Sequence, residues 1–237
     1  VVARAGETGL AFVDAEPLQT PRCCAYATTG GGFGELQLSN RRALAYSFRS
    51  VEPDWQPAEG TWMTHSGMAC IAWDYWLTGK GEPVATAFNH KPQPADLHVD
   101  FWISEYTEGF ADGEHRHYPY HDVSLITCAQ QRERDSGYRF VVGADGGKAV
   151  LLYKKGSQVA ETTDSRFSIR MAGHCNIPRS MHVVVSQQTG VLRLSLDGVE
   201  ALRYEDPEPL AGGLVGIGVE GCAVDFKDLW MVGTGPK

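Results

Sequence analysis

Residues 113–126 read GEHRHYPYHDVSLI, with three histidines, two tyrosines and an arginine inside the seven positions 115–121. These are the side chains of proton transfer near neutral pH. An imidazole titrates near pH 6.5, a phenol can give up a proton, and a guanidinium can neutralise a carboxylate. A metal site is the second chemistry open to them, because Glu114, His115, His117 and His121 are all competent ligands. Their spacing matches no helical H-x-x-x-H pair, so no metal ion is assigned. The plain alternative is a solvated loop whose rings do nothing specific. Pro119 removes a ladder donor, so 113–120 reads as a loop or strand edge.

What positions that stretch is a set of strands. LHVDFWISEY (97–106) alternates cleanly: Val99, Phe101 and Ile103 point one way, and His98, Asp100, Trp102, Ser104 and Tyr106 the other. A tryptophan in mid-strand on a polar face suits stacking against the C–H face of a sugar ring, with hydroxyls meeting the polar neighbours. DVSLITC (122–128), GYRFVVGA (137–144) and KAVLLYKKG (148–156) follow, with DGG as a turn between the last two. MHVVVSQQTGVLRLSLDGVEALRY (181–204) reads as three strands joined by QTG and DG turns, before GLVGIGVEG (213–221) and AVDFKDLWMV (223–232). ATTGGGFGELQLS and RALAYSFRSV supply edge strands, and the Pro-rich EPDWQPAEG a surface connection. Trp55, Trp62, Trp73, Trp76 and Trp230 read as core, and His174 and Asn176 as a loop that could rim a groove.

No segment keeps a helical period, and Gly (27), Pro (12) and aromatic residues (10%) are plentiful. The expectation is an all-β chain: an antiparallel two-sheet β-sandwich of jelly-roll type, one domain over 1–237, with 1–58 as edge strands and loops. The net charge of −8 argues against a general nucleic-acid or membrane-surface binder, which would need a basic footprint. No apolar run reaches the roughly 20 residues of a membrane-spanning helix. The six cysteines (Cys23, Cys24, Cys70, Cys128, Cys175, Cys222) include no CxxC pair, which argues against structural zinc. Their even number permits disulfides, and the apolar settings of Cys70, Cys128 and Cys222 equally suit buried thiols.

Three stretches together resemble the concanavalin A-like lectin/glucanase superfamily. They are EGTWMTHSGMACI, DSGYRFVVGADGGKAVLLYKKGSQVAET, and HVVVSQQTGVLRLSLDGVEALRYEDPEPLAGGLVGIGVEGCAVDFKDLWM. Within it, residues 59–232 are most similar to the YesU-like and keto-disaccharide-hydrolase-like jelly rolls. The matching pieces are turns and core strands, which speak for architecture, so function has to be argued from the site.

The resemblance implies a polysaccharide or oligosaccharide ligand in a concave groove and no cofactor beyond a structural calcium ion. For the groove, the residues in question are His98, Asp100, Trp102, Ser104, Tyr106 and Arg139. Jelly-roll lyases eliminate across a uronic acid with a cation or amide, a base and an acid. Here Arg116 or Arg139 could neutralise, His117 or His121 act as base, and Tyr118 or Tyr120 as acid. A hydrolase would need two carboxylates at ~5–10 Å. The superfamily's E-x-D-x-x-E signature is absent, and Glu105, Asp100, Glu114 and Asp122 remain without a spacing that selects a pair. A lectin-like binding module needs only the groove and Trp102. The reading leans to an enzyme over a binding module and to a secreted or periplasmic protein, and leaves the oligomeric state open.

Overall fold

The computed structural model describes residues 2–5, 8–11, 35–38, 41–48, 52–66, 75–109, 115–118, 120–169 and 180–234. Its strands are β1 (Val2–Ala5), β2 (Thr8–Ala11), β3 (Glu35–Leu38), β4 (Arg41–Tyr46), β5 (Trp55–Glu59), β6 (Thr61–Ser66), β7 (Tyr75–Lys80), β8 (Val84–Gln93), β9 (Asp96–Gly109) and β10 (His115–Tyr118). They continue with β11 (Val123–Ala129), β12 (Tyr138–Gly143), β13 (Ala149–Lys154), β14 (Ser157–Thr162), β15 (Ser180–Gln188), β16 (Val191–Leu196), β17 (Val199–Glu205), β18 (Gly213–Glu220) and β19 (Ala223–Thr234).

Two large sheets form the sandwich: one runs β17-β16-β15-β9-β19-β4-β3, with β10 added to β9, β7 to β19, and β6 to β7, and the other runs β14-β13-β12-β11-β18-β8-β5; β1 and β2 pair as a separate two-stranded sheet. Every pairing among the described strands is antiparallel. This is the two-sheet jelly roll expected from the strand spacing. EPDWQPAEG departs from expectation: its second half is β5, which pairs with β8. Its Pro57 lies on a sheet edge, where a missing N–H is tolerated.

The two sheets meet on their apolar faces. Val99, Phe101 and Ile103 of β9 are buried with Leu125, Phe140, Val142, Leu152, Val185 and Phe226 in one core. A polar bridge crosses that core: the Thr127 hydroxyl bonds the Gln187 side-chain oxygen, and Gln187 Nε2 reaches Ala95 O at 3.2 Å. The end of the sandwich is closed by a buried carboxylate. Asp206 accepts from Lys154 Nζ at 2.8 Å, from the Tyr138 hydroxyl, and from the Glu208 amide at 3.0 Å. Burial opposes ionisation of Asp206, but those three donors outweigh it and hold the carboxyl below the usual range. Because Tyr138 and Lys154 belong to one sheet and Asp206 follows β17 of the other, the cluster clasps both.

Two irregularities decide where side chains point. Register slips at Cys128, between Ile126 and Ala129, and at Asp228, between Lys227 and Trp230. Cys128 (φ 55°) and Asp228 (φ 48°) are both left-handed, as an inserted bulge residue can be. Cys128 and Cys222 are free thiols, and Cys23, Cys24, Cys70, Cys175 and Trp73 lie outside the described residues.

Candidate functional site

The strands carry candidate side chains on both outer faces of the sandwich, and the set expected in one groove is divided between them. On the seven-stranded sheet, β12 alternates. Phe140 and Val142 enter the core, which leaves Arg139 and Val141 on the outer face of the sheet, where Arg139 is half-buried and Val141 is buried against Ala144 and Ala149. There, across β13, Arg139 stands opposite Tyr153 and Val141 opposite Leu151. These four residues, with His121, Asp122, Arg134, Glu220 and Gly221, line a cleft of about 390 Å³. Val141 is buried at its base beneath Leu151 and Tyr153, Arg139 covers the Tyr153 ring, and the exposed lining is mainly polar and charged.

The walls are held by pairing. Asp122 has φ 48°, a left-handed conformation that aspartate tolerates better than most residues, and its N–H reaches Gly143 O at 3.2 Å. Its carboxylate meets His121 Nδ1 at 2.8 Å. With the proton on Nδ1, the neutral ring keeps Nε2 as an acceptor, the form a general base needs. Arg139 lies 4.2 Å above the Tyr153 ring and donates from Nε to Asp135 at 3.0 Å. Arg134 reaches from the 130–137 connection to Glu220 at 2.7 Å. Desolvation works against the charged Arg134, but Glu220 and Asp135 more than offset it and raise its pKa further. Behind the cleft the left-handed Gly221 (φ 67°) turns the chain, so that Cys222 Sγ donates to His121 O at 3.0 Å. Burial pushes the Cys222 thiol up to about 11, so it stays protonated at neutral pH.

The other face belongs to the ten-stranded sheet. His98, Asp100 and Trp102 project outward from β9 as expected, Trp102 with 39% of its surface exposed. Trp102 stacks on His182 of β15, its cross-strand partner, at 4.8 Å between ring centroids and 29° between planes. His182 Nε2 is 2.5 Å from Asp100 Oδ1. Desolvation lowers the His98 pKa, reinforced by His182, while Asp100 pulls the other way. Trp230 also lies here, 43% exposed and opposite Asp100, which corrects its assignment to the core.

Several expected site residues are displaced. Ser104 and Tyr106 share the strand face of Trp102 but are buried, Ser104 at 1% exposure, so they offer no sugar contact there. Thr78 and Asp225 are buried beside Ser104, joined by a 2.6 Å hydrogen bond, and Lys80 lies 4.4 Å over the Tyr106 ring. Tyr120 is packed in the core, because the chain crosses there from β10 in one sheet to β11 in the other. His121 and Arg139 stand on the opposite outer face from Trp102. Backbone register sets Arg116 opposite Glu108, His117 opposite Thr107, Tyr118 opposite Tyr106 and Glu105 opposite Val224. Thus 115–118 form a short strand paired with β9 alone, the strand-edge alternative of the sequence reading. Glu114, His174 and Asn176 lie outside the described residues. Among the described residues, no three His, Cys, Asp or Glu side chains converge on a point that could hold a metal ion.

The sequence reading missed Arg134, Tyr153 and Glu220 in the cleft, and His182 and Trp230 on the far face. His182 had a signal, since it alternates with Val183 and Val185. Trp230 had none, because the slip at Asp228 reverses its parity.

No protein-family model matches the chain, and no curated protein does. Among solved structures, the carbohydrate-binding module CBM66 from Bacillus subtilis superposes with a TM-score of 0.54 at 14% identity, over 74% of this chain and 93% of that one. A Bacillus subtilis protein of unknown function with a galectin-like fold gives 0.56 at 12% identity, over 86% and 98%. The exoplasmic/lumenal domain of VIP36, in its Ca2+/Man-bound form, gives 0.53 at 11% identity, over 80% and 88%. At these identities the likeness is one of fold alone, a jelly-roll β-sandwich.

Proposed function

We propose that the protein is carbohydrate-active and takes a polysaccharide or oligosaccharide into the cleft on the seven-stranded sheet, where His121 transfers a proton. One observation carries this reading: the His121 imidazole, fixed by Asp122 at 2.8 Å, lines the same cleft as Arg134, Arg139 and Glu220. The guanidinium groups and the Glu220 and Asp122 carboxylates lining the cleft suit hydroxyls, and the guanidinium groups a uronate carboxylate. His121 then serves as the base of an elimination or the acid–base group of a hydrolysis. The solved carbohydrate-binding relatives and the resemblance to YesU-like and keto-disaccharide-hydrolase-like jelly rolls support a sugar ligand. The chain acts as one jelly-roll domain.

A binding-only role is the second reading. It is favoured by the pairing of the cleft's polar groups (His121 with Asp122, Arg139 with Asp135, Arg134 with Glu220), an arrangement preorganised for recognition.

The test is a panel of polysaccharides, neutral and uronate-containing, incubated with the protein and with His121→Gln. Elimination produces a double bond that absorbs ultraviolet light, and hydrolysis produces reducing ends without it. Cleavage by the wild type that falls at least 100-fold in His121→Gln supports catalysis in the cleft. Equal cleavage by both proteins refutes the role of His121, and glycan retention without cleavage selects the binding-only reading.

A further inference from the structure

The outer face of the ten-stranded sheet carries a feature that the cleft does not use. Two indoles, Trp102 and Trp230, stand exposed on neighbouring strands, with Asp100 directly opposite Trp230 and His182 stacked on Trp102. Strand geometry sets the Cα atoms of Trp230 and His182 about 12 Å apart, two strands across and two residues along. The result is a diagonal row of Trp230, Asp100, Trp102 and His182 across β19, β9 and β15.

We infer that this row is a second carbohydrate-contacting surface, which holds the flat face of an extended polysaccharide chain on the opposite side of the sandwich from the cleft. The side chains favour sugar over protein. A protein interface centres on a contiguous apolar patch, whereas here the indoles alternate with a carboxylate and an imidazole. The 2.5 Å contact fixes Asp100 and His182 in place, so hydroxyl acceptors and donors stand at set positions between the ring faces. Nucleic acid is disfavoured by the net charge of −8. The exposure of Trp230 also follows from backbone construction. Phe226 is buried, and without the inserted Asp228 the two-residue alternation would carry Trp230 inward as well.

The inference goes beyond the cleft reading and can stand or fall separately from it. Wild type, a Trp102→Ala/Trp230→Ala double variant and His121→Gln are mixed with microcrystalline cellulose, chitin and curdlan, and with polystyrene beads as a sugar-free apolar control. The expected result is that wild type co-sediments with at least one polysaccharide and at most weakly with polystyrene. The double variant should lose at least tenfold of that binding with its thermal midpoint unchanged, while His121→Gln sediments like wild type. Absence of wild-type binding to all three matrices overturns the inference, as does equal binding to polystyrene or retention by the double variant. Sedimentation velocity supplies the remaining outcome: a wild-type dimer that the double variant converts to monomer assigns the row to a second copy of the chain and overturns the sugar reading. Loss of binding in His121→Gln alone would instead trace the matrix binding to the cleft.

Discussion

Trp230 stands directly opposite Asp100 on the solvent side of the ten-stranded sheet, although Phe226, four residues earlier on the same strand, is fully buried. Even-numbered residues face the core up to Phe226, and odd-numbered ones, Leu229 and Met231, face it afterwards. Asp228, with φ 48°, absorbs the change. A β-branched residue fits that left-handed conformation poorly. Asp228→Val should therefore lose about 1–2 kcal/mol of stability, and Asp228→Gly less, as read from urea unfolding. Equal losses in both variants would show that the backbone at 228 is not what sets the slip.

Asp206 supplies an acid-labile clasp. Its folded carboxyl titrates below the usual value, so between the unfolded pKa near 3.9 and the lower folded one the unfolded chain binds more protons. The stability it contributes is present above pH ~4 and is lost as pH falls through the folded pKa. Asp206→Asn leaves the Lys154 ammonium, 2.8 Å away, without its counter-charge. It should cost about 3–5 kcal/mol and flatten the acid limb of stability against pH. An unchanged acid limb in that variant would assign the sensitivity to other carboxylates.

Cys222 works in the alkaline direction. Its folded pKa of about 11 lies above the ~8.5 of an unfolded thiol, so the unfolded chain releases its proton first. Stability should decline as pH rises from ~8.5 toward the folded value, and Cys222→Ala should remove that part of the decline. At pH 8 the folded protein should resist alkylation at Cys222 by iodoacetamide, while the urea-unfolded chain reacts, as followed by peptide mass spectrometry. Equal rates in the two states would show that the thiol is not held by burial and His121 O.

Arg139 lies over Tyr153 and is tied to Asp135, so its fork is fixed in the cleft. Arg139→Lys keeps the charge but loses the planar donors and the stacking. With the glycan that the protein binds best, affinity should fall about tenfold, or ~1.4 kcal/mol, with little change in thermal midpoint. Unaltered affinity would remove Arg139 from the recognition surface.

The fold was legible because its strands carry a two-residue period and its turns carry their own chemistry. The β15–β17 run appears with the boundaries that QTG and DG suggest. The inward set Val99, Phe101 and Ile103 is buried as the alternation required. The site was legible only in pieces. Period-two patterning tells which side of a strand a residue occupies, and it placed Trp102 outward, but it does not tell which sheet the next strand joins. His121 therefore moved to the face opposite Trp102 when the chain crossed between sheets, and Tyr120 was buried at the crossing. Arg134 and Glu220 meet although 86 residues separate them, a contact that no local pattern encodes. Trp230 was misjudged for a different reason, since a single inserted residue reverses parity without altering composition.

The central claim, that a glycan sits in the cleft of His121, Arg139 and Glu220, is tested most directly by a crystal structure of the complex with the tightest ligand from a glycan array. The account predicts sugar density in that cleft, with hydroxyls within hydrogen-bond distance of His121 and a cleft guanidinium. An array that retains no glycan, or density confined to the Trp102–Trp230 face, would contradict it.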